Sequence, residues 1–351
     1  MKKHFKLFSN CILVNGASRS SIYDLQRREL FLLPNEIAKI IERLNNKESI
    51  HSIKEKYKQK EQKMIDEAIS FLIQKEFGFL CDYDDYELFT EMDLSYSVPS
   101  KINNIIIELD DFNIDRVQKI NHLTNEFLCQ SICFIFYFEV SVTQLEGVLE
   151  LFRDSKTVGS IEIMAKFSNN NEKVAIDRLI EKNKRLDKLT FFNTKGNIQN
   201  SDKVNYLEYD FKNFSFCGGV SESLFSINQN KVLESINFNS CLYKKLSIDR
   251  NGNIKNCPNF KTSFGTIDNL NIDELLLNDD FTHIWKIKKD DIKVCQDCEF
   301  RHVCTDCRAF LDDYSNIKSK PLKCGYDPYS NEWSEWSTNP LKQKAKNYYS
   351  L

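Results

Sequence analysis

Eight cysteines crowded between Cys217 and Cys324 constrain this 351-residue chain more than any other feature. They are Cys217, Cys241, Cys257, Cys295, Cys298, Cys304, Cys307 and Cys324, while Cys11, Cys81, Cys129 and Cys133 lie scattered upstream. The start, Met1–Asn10, is polar and charged, without the ~7–15-residue apolar core of a secretory signal. No stretch approaches the ~20 consecutive apolar residues of a membrane span, and the longest apolar run, Ile132–Phe138, suits a buried strand. A cytoplasmic protein with no membrane partner is therefore expected. That compartment keeps thiols reduced, so clustered thiols at short spacings point to metal.

Two groups stand out. Cys241 and Cys257 flank Asp249–Arg250–Asn251–Gly252–Asn253, and Asn-Gly between Leu246, Ile248 and Ile254 predicts a hairpin with both thiols near its open end. The second group is Cys295-x2-Cys298-x5-Cys304-x2-Cys307, with Cys324 sixteen residues later. A C-x2-C step points two thiolates at one ion or cluster from a single turn. Thiolates alone do not separate zinc from iron. His302, between Phe300–Arg301 and Cys304, reads as a packed or surface histidine and not as a ligand.

Composition is that of an ordinary globular chain, 41% hydrophobic and 28% charged, and a net charge of -3 offers no electrostatic reason for a nucleic-acid partner. Residues 1–86 read as strands over Phe5–Val14 and Ser20–Leu33, three helices starting after Pro34, and a closing strand Phe77–Cys81, a winged-helix-like pattern. Residues 82–93 read as a connector. Over 87–215, strands at Ile102–Leu109, Ile132–Val140, Val158–Phe167 and Leu186–Phe192 alternate with helices about every 28 residues, as in βαβ units of a parallel sheet and a partial (β/α) barrel. Residues 216–330 form the cysteine-rich region and 331–351 a tail. The predicted fold class is α/β.

Absences matter too. A radical S-adenosylmethionine enzyme needs C-x3-C-x2-C after the first barrel strand. Here Asp110–Asp111–Phe112 follows that strand. Cys129 and Cys133 have the x3 spacing, but Phe136 stands where a third cysteine belongs, so both read as buried apolar residues. No phosphate-cradling loop, H-E-x-x-H or G-x-S-x-G is present.

The pattern C-x10-G-x4-C, a gap, then C-x2-C-x5-C-x2-C-x16-C resembles the SPASM domain of peptide-modifying radical S-adenosylmethionine enzymes, departing from it in the x2 between Cys304 and Cys307. Phe5–Lys6–Leu7–Phe8, Asp24–Leu25–Gln26–Arg27, Glu76–Phe77–Gly78–Phe79, Gly252–Asn253–Ile254–Lys255–Asn256–Cys257–Pro258, Lys320–Pro321–Leu322–Lys323–Cys324–Gly325–Tyr326 and Glu335–Trp336–Ser337–Thr338–Asn339–Pro340–Leu341 extend the resemblance to the SPASM-domain peptide maturases of grasp-with-spasm systems. The resemblance implies two auxiliary [4Fe–4S] clusters. Cys241, Cys257 and Cys307 would hold the first, with Cys217 or an open iron site as the fourth position; Cys295, Cys298, Cys304 and Cys324 would hold the second. It also implies a precursor peptide and an ATP-grasp ligase as partners in maturing a ribosomally made peptide. The N-terminal domain more weakly resembles winged-helix elements that take a leader peptide as an added strand. A zinc-stapled adaptor for the ligase and a redox enzyme working at an open iron are the other readings, and no catalytic residue is identified.

Overall fold

The computed structural model describes residues 3–351 apart from 170 and 197. The protein is mixed α/β with a large parallel sheet, and its chain divides into two compact units. The first comprises Met1–Tyr96, Gly219–Ser240 and Ile287–Leu351; the second comprises Ser97–Gly218 and Cys241–Lys286. The cysteine-rich region expected as one module over 216–330 is thus shared between the units, and 331–351 is part of the first unit, not a free tail. The sheet explains the split. The hairpin after Cys241 adds to the parallel sheet, whereas the later cysteines pack with the N-terminal strands.

The first unit begins with β1 (His4–Leu7), β2 (Cys11–Val14), β3 (Arg19–Asp24) and β4 (Glu29–Pro34), followed by α1 (Asn35–Asn45), α2 (Ile50–Lys54), α3 (Gln59–Gln74), β5 (Gly78–Cys81) and α4 (Tyr83–Tyr86). Strand β1 pairs antiparallel with β5, and β2, β3 and β4 form a separate antiparallel sheet. Pro34 ends β4 and immediately precedes α1, where its fixed φ suits a helix start. Ala38, Ile40, Ile41 and Leu44 of α1, Ile53 of α2, and Ile65, Ile69 and Leu72 of α3 bury helical stripes in one core with Phe5 and Phe77. The segment read as a connector lies on this body: Lys6 Nζ meets Glu91 Oε1 at 3.0 Å, and the Phe79 and Phe89 rings are 4.6 Å apart.

Helix α8 (Gln229–Asn237) and the last residues complete this unit. Tyr23, Leu25, Val232, Phe300, Val303, Cys324 and Tyr326 form a second core, which joins β3 to the cysteine segment.

The second unit holds β6 (Asn104–Leu109), α5 (Ile114–Phe127), β7 (Ser131–Glu139), α6 (Val142–Leu151), β8 (Ser160–Lys166), α7 (Lys173–Lys182), β9 (Leu186–Phe192) and β10 (Val204–Leu207). The predicted strand–helix alternation is present, with Asn113 capping α5 and a Ser141/Gln144 capping box opening α6. Strands β11 (Lys245–Ile248) and β12 (Ile254–Lys255) form the predicted hairpin. Strand β11 also pairs parallel with β6, giving a seven-stranded sheet in the order β10-β9-β8-β7-β6-β11-β12. Short helices α9 (Ile272–Leu277) and α10 (Asp279–Thr282) follow.

Period-two alternation gives the sheet two characters. One face is apolar and buried: Ile105 and Ile107, Phe134 and Phe136, Ile161 and Ile163, Leu189 and Phe191. The other carries Ser247, Ile106, Cys133, Glu162 and Lys188 in cross-strand register. Back in the first unit, β13 (Tyr326–Asp327) pairs with β14 (Glu332–Trp333), and α11 (Gln343–Tyr349) ends the chain.

Candidate metal centre

Cys295, Cys298, Cys304 and Cys324 are free thiols. Four of the predicted ligands, Cys295, Cys298, Cys304 and Cys324, line one cavity in the first unit, together with Lys289, Phe300, Tyr326 and Trp333. Local turns aim them there. A 3-10 turn over Cys295–Asp297, with Cys298 N–H donating to the Cys295 carbonyl at 3.0 Å, sets the C-x2-C pair. Cys304 N–H donates to the Phe300 carbonyl at 3.1 Å, and Cys324 is fixed by a parallel bridge to Val220. Lys342 holds the Cys324 loop from behind, donating to the carbonyls of Leu322 at 2.6 Å and Cys324 at 2.8 Å.

The electrostatics of this pocket are dominated by buried charge. Lys289 Nζ lies 3.9 Å from Cys295 Sγ and 3.8 Å from Asp306 Oδ1. Burial opposes the ammonium, but Cys295, Cys304, Asp306 and Cys324 outweigh it and hold the amine well above its usual range. Burial pushes the Cys295 thiol up to about 12, with Lys289 pulling the other way, and also raises Cys298 and Cys304. Loading metal here therefore expels protons from the thiols. Phe300 N–H donates to Cys298 Sγ at 3.4 Å, the kind of backbone bond that thiolate sites use.

Behind the pocket, Asp306 is fully buried and pairs with the equally buried Arg308 at 2.7 Å. Asn239 Nδ2 donates to Asp306 Oδ2 at 2.8 Å, and Ser240 Oγ donates to the Cys304 carbonyl at 3.2 Å. His302 is packed into the interior. It is buried, lies outside the cavity lining, and burial lowers its imidazole to about 4.

The second unit brings Cys217, Cys241 and Cys257 around Lys245 at the start of β11. Lys245 Nζ lies 3.6 Å from Cys241 Sγ. Burial again opposes its charge, and the thiols of Cys241, Cys257 and Cys217 raise its pKa nonetheless. Cys307, which the resemblance adds to this group, belongs to the first unit, where it is buried.

Cys129 behaves as the core residue expected, fully buried with its thiol 3.3 Å from the Ser131 carbonyl. Cys133 differs. It is half-buried on the polar face of β7 and packs with Cys217 around Ile106, Ile135 and Phe214. Alternation along Ser131–Tyr137 places Cys133 opposite Phe134 and Phe136, the signal that distinguishes it from Cys129.

The donor set, four thiols on one cavity, suits a thiolate-ligated iron–sulfur cluster. The free space between these side chains is about 20 Å3, room for a water-sized body. Among the described residues, no three or more His, Cys, Asp or Glu side chains are drawn together as the ligands of one metal ion would be. No helix among them is long and apolar enough to cross a membrane.

No protein-family model matches the chain, and neither does any curated relative. Among solved structures, the chain is similar to Streptococcus suis SuiB bound to S-adenosylmethionine, at 11% identity over 90% of this chain and 98% of that one, with a TM-score of 0.34. A second structure of Streptococcus suis SuiB aligns over the same shares at 11% identity with a TM-score of 0.30.

Proposed function

We propose that this protein is a cluster-bearing maturase subunit of the SPASM type, acting with an ATP-grasp ligase on a ribosomally made precursor peptide. The observation that carries this reading is the convergence of Cys295, Cys298, Cys304 and Cys324 on one cavity. Those are the four positions that the motif resemblance assigns to a single [4Fe–4S] cluster. Cys217, Cys241 and Cys257 around Lys245 supply three thiols toward a second. The missing C-x3-C-x2-C argues that the sheet no longer cleaves S-adenosylmethionine.

Peptide binding is supported by the three-stranded sheet, whose edge strand β4 leaves Leu32 exposed and pairs on one side only. An extended peptide adds to such an edge through backbone hydrogen bonds.

Anaerobic purification with iron, sulfide and zinc analysis tests the cluster reading. A brown protein with broad visible absorption and two clusters' worth of iron supports it, and a colourless zinc protein overturns it. Ligase assays on the precursor peptide with and without this protein test the partnership.

A further inference from the structure

A lysine amine lies close to a sulfur in each thiol group, a feature that neither motif spacing nor resemblance requires. In the first unit, Lys289 is buried within the cavity lined by Cys295, Cys298, Cys304 and Cys324. In the second, Lys245 Nζ points at Cys241 Sγ from 3.6 Å, on the hairpin strand that links Cys241 to Cys257. The two lysines lie on unrelated local structures, a 3-10 turn and a strand.

Charge counting around Lys289 shows what it lacks. Its carboxylate partner Asp306 is shared with Arg308, which pairs with it more closely, at 2.7 Å against 3.8 Å. Both cations and the carboxylate are buried, so two positive charges face one negative one. A buried charge left without a counter-charge costs several kcal/mol. The cavity is lined besides by the thiols and by Arg301 and Lys320, which have partners of their own, Asp290 at 3.0 Å and the Tyr326 carbonyl at 2.6 Å. Thiolates bound to iron would supply the missing negative charge, and the ammonium would in turn offset the net negative charge of a four-thiolate cluster.

We propose that Lys289 and Lys245 are the charge-compensating partners of the two cysteine-ligated clusters, each holding its cluster's reduction potential up by placing an ammonium beside the thiolates. The inference rests on the cluster reading above. Adding one electron to a cluster makes it more negative with no bond made or broken, so a nearby fixed cation stabilises the reduced form over the oxidised one.

The test is a dithionite titration of the anaerobically reconstituted full chain, followed by electron paramagnetic resonance and visible absorption. It compares wild type, Lys289→Met, Lys289→Arg, Lys245→Met and Lys245→Arg. Each Met variant is expected to keep its iron and lower the reduced-to-oxidised ratio of one cluster by about tenfold or more at a fixed ambient potential. Each Arg variant, keeping the charge, is expected to hold the wild-type ratio. Full iron content with unchanged ratios in both Met variants overturns the lysine role and leaves the clusters standing. A wild-type chain that takes up no iron–sulfur cluster overturns both. If a Met variant loses its cluster while the matching Arg variant retains both cluster and ratio, charge at that position is the requirement, as proposed; loss of the cluster in both overturns it.

Discussion

Tyr23 donates its phenol proton to the backbone carbonyl of Glu299 at 2.5 Å, tying the middle strand of the N-terminal sheet to the residue that follows Cys298. Ser21 donates to the same carbonyl at 2.8 Å, while the Glu299 carboxylate accepts from Arg19 at 2.6 Å and from Tyr326 at 2.5 Å. One strand therefore grips the cysteine loop through both its backbone and its side chain. The Tyr23→Phe variant is expected to lose about 1 kcal/mol, since Ser21 still satisfies the carbonyl. Arg19→Leu leaves the buried Glu299 carboxylate without its cation and is expected to lose about 3 kcal/mol. Urea denaturation of the apo chain measures both, and equal losses would contradict this ranking.

The thiol assignment predicts a grouped response. Cys295→Ala, Cys298→Ala, Cys304→Ala and Cys324→Ala should each remove about half of the bound iron, because each deprives one cluster of a ligand. The Cys295→Ala/Cys324→Ala double variant should lose no more than either single one, as members of a unit do. Cys129→Ala, in the core, should leave iron unchanged. Iron analysis per chain reads all of these.

Gly252 occupies the turn between β11 and β12 at a φ of +81°, and a Cβ there would sit 3.3 Å from Ile267 Cγ2. The motif glycine between Cys241 and Cys257 is thus required by backbone geometry. Gly252→Ala is expected to cost about 1–2 kcal/mol and to reduce iron at the second-unit site, whereas Asn253→Ala at the next position, where φ is negative, should retain it. Thermal unfolding together with iron content checks the pair.

Acid sensitivity has a local source in α1 and its neighbours. Hydrogen bonds from Arg43 and then Lys56 hold the Glu48 carboxyl down at about 2 in the folded chain, against an unfolded value of 4.5. The folded pKa is the lower one, so the unfolded state takes up the proton first. The stabilisation is complete above pH 4.5 and fades as pH falls toward 2. Melting temperatures of wild type and Glu48→Gln should therefore differ at pH 7 and converge as pH falls through about 2; a constant gap would refute the assignment.

Local pattern in the sequence anticipated a good deal of this fold. Ile37–Leu44 spacing marked α1, Asn251-Gly252 marked the β11–β12 turn, and the strand–helix alternation from Ile102 to Phe192 marked the parallel sheet. Each of these signals is carried by neighbours within a few turns of chain. The partners of those elements were not legible. Nothing in Lys245–Ile248 says that it pairs with β6, since period and propensity report which face is buried but not against what. Cys spacing grouped Cys295, Cys298, Cys304, Cys307 and Cys324, because short loops confine thiols to one place, but it was the family resemblance that set Cys307 apart from the other four. No sequence signal marked Lys289 or Lys245, and Glu299 carried no sign of being clasped by Arg19, Ser21 and Tyr23.

The first unit is sewn from three stretches of chain, with most of the other unit emerging from the ribosome in between. Strand β3 and its Tyr23 therefore wait for nearly 300 residues of further synthesis before Glu299 arrives. During that interval the core that Tyr23 shares with Phe300 and Cys324 stays incomplete, so the strand must hold its place on the strength of its own sheet alone.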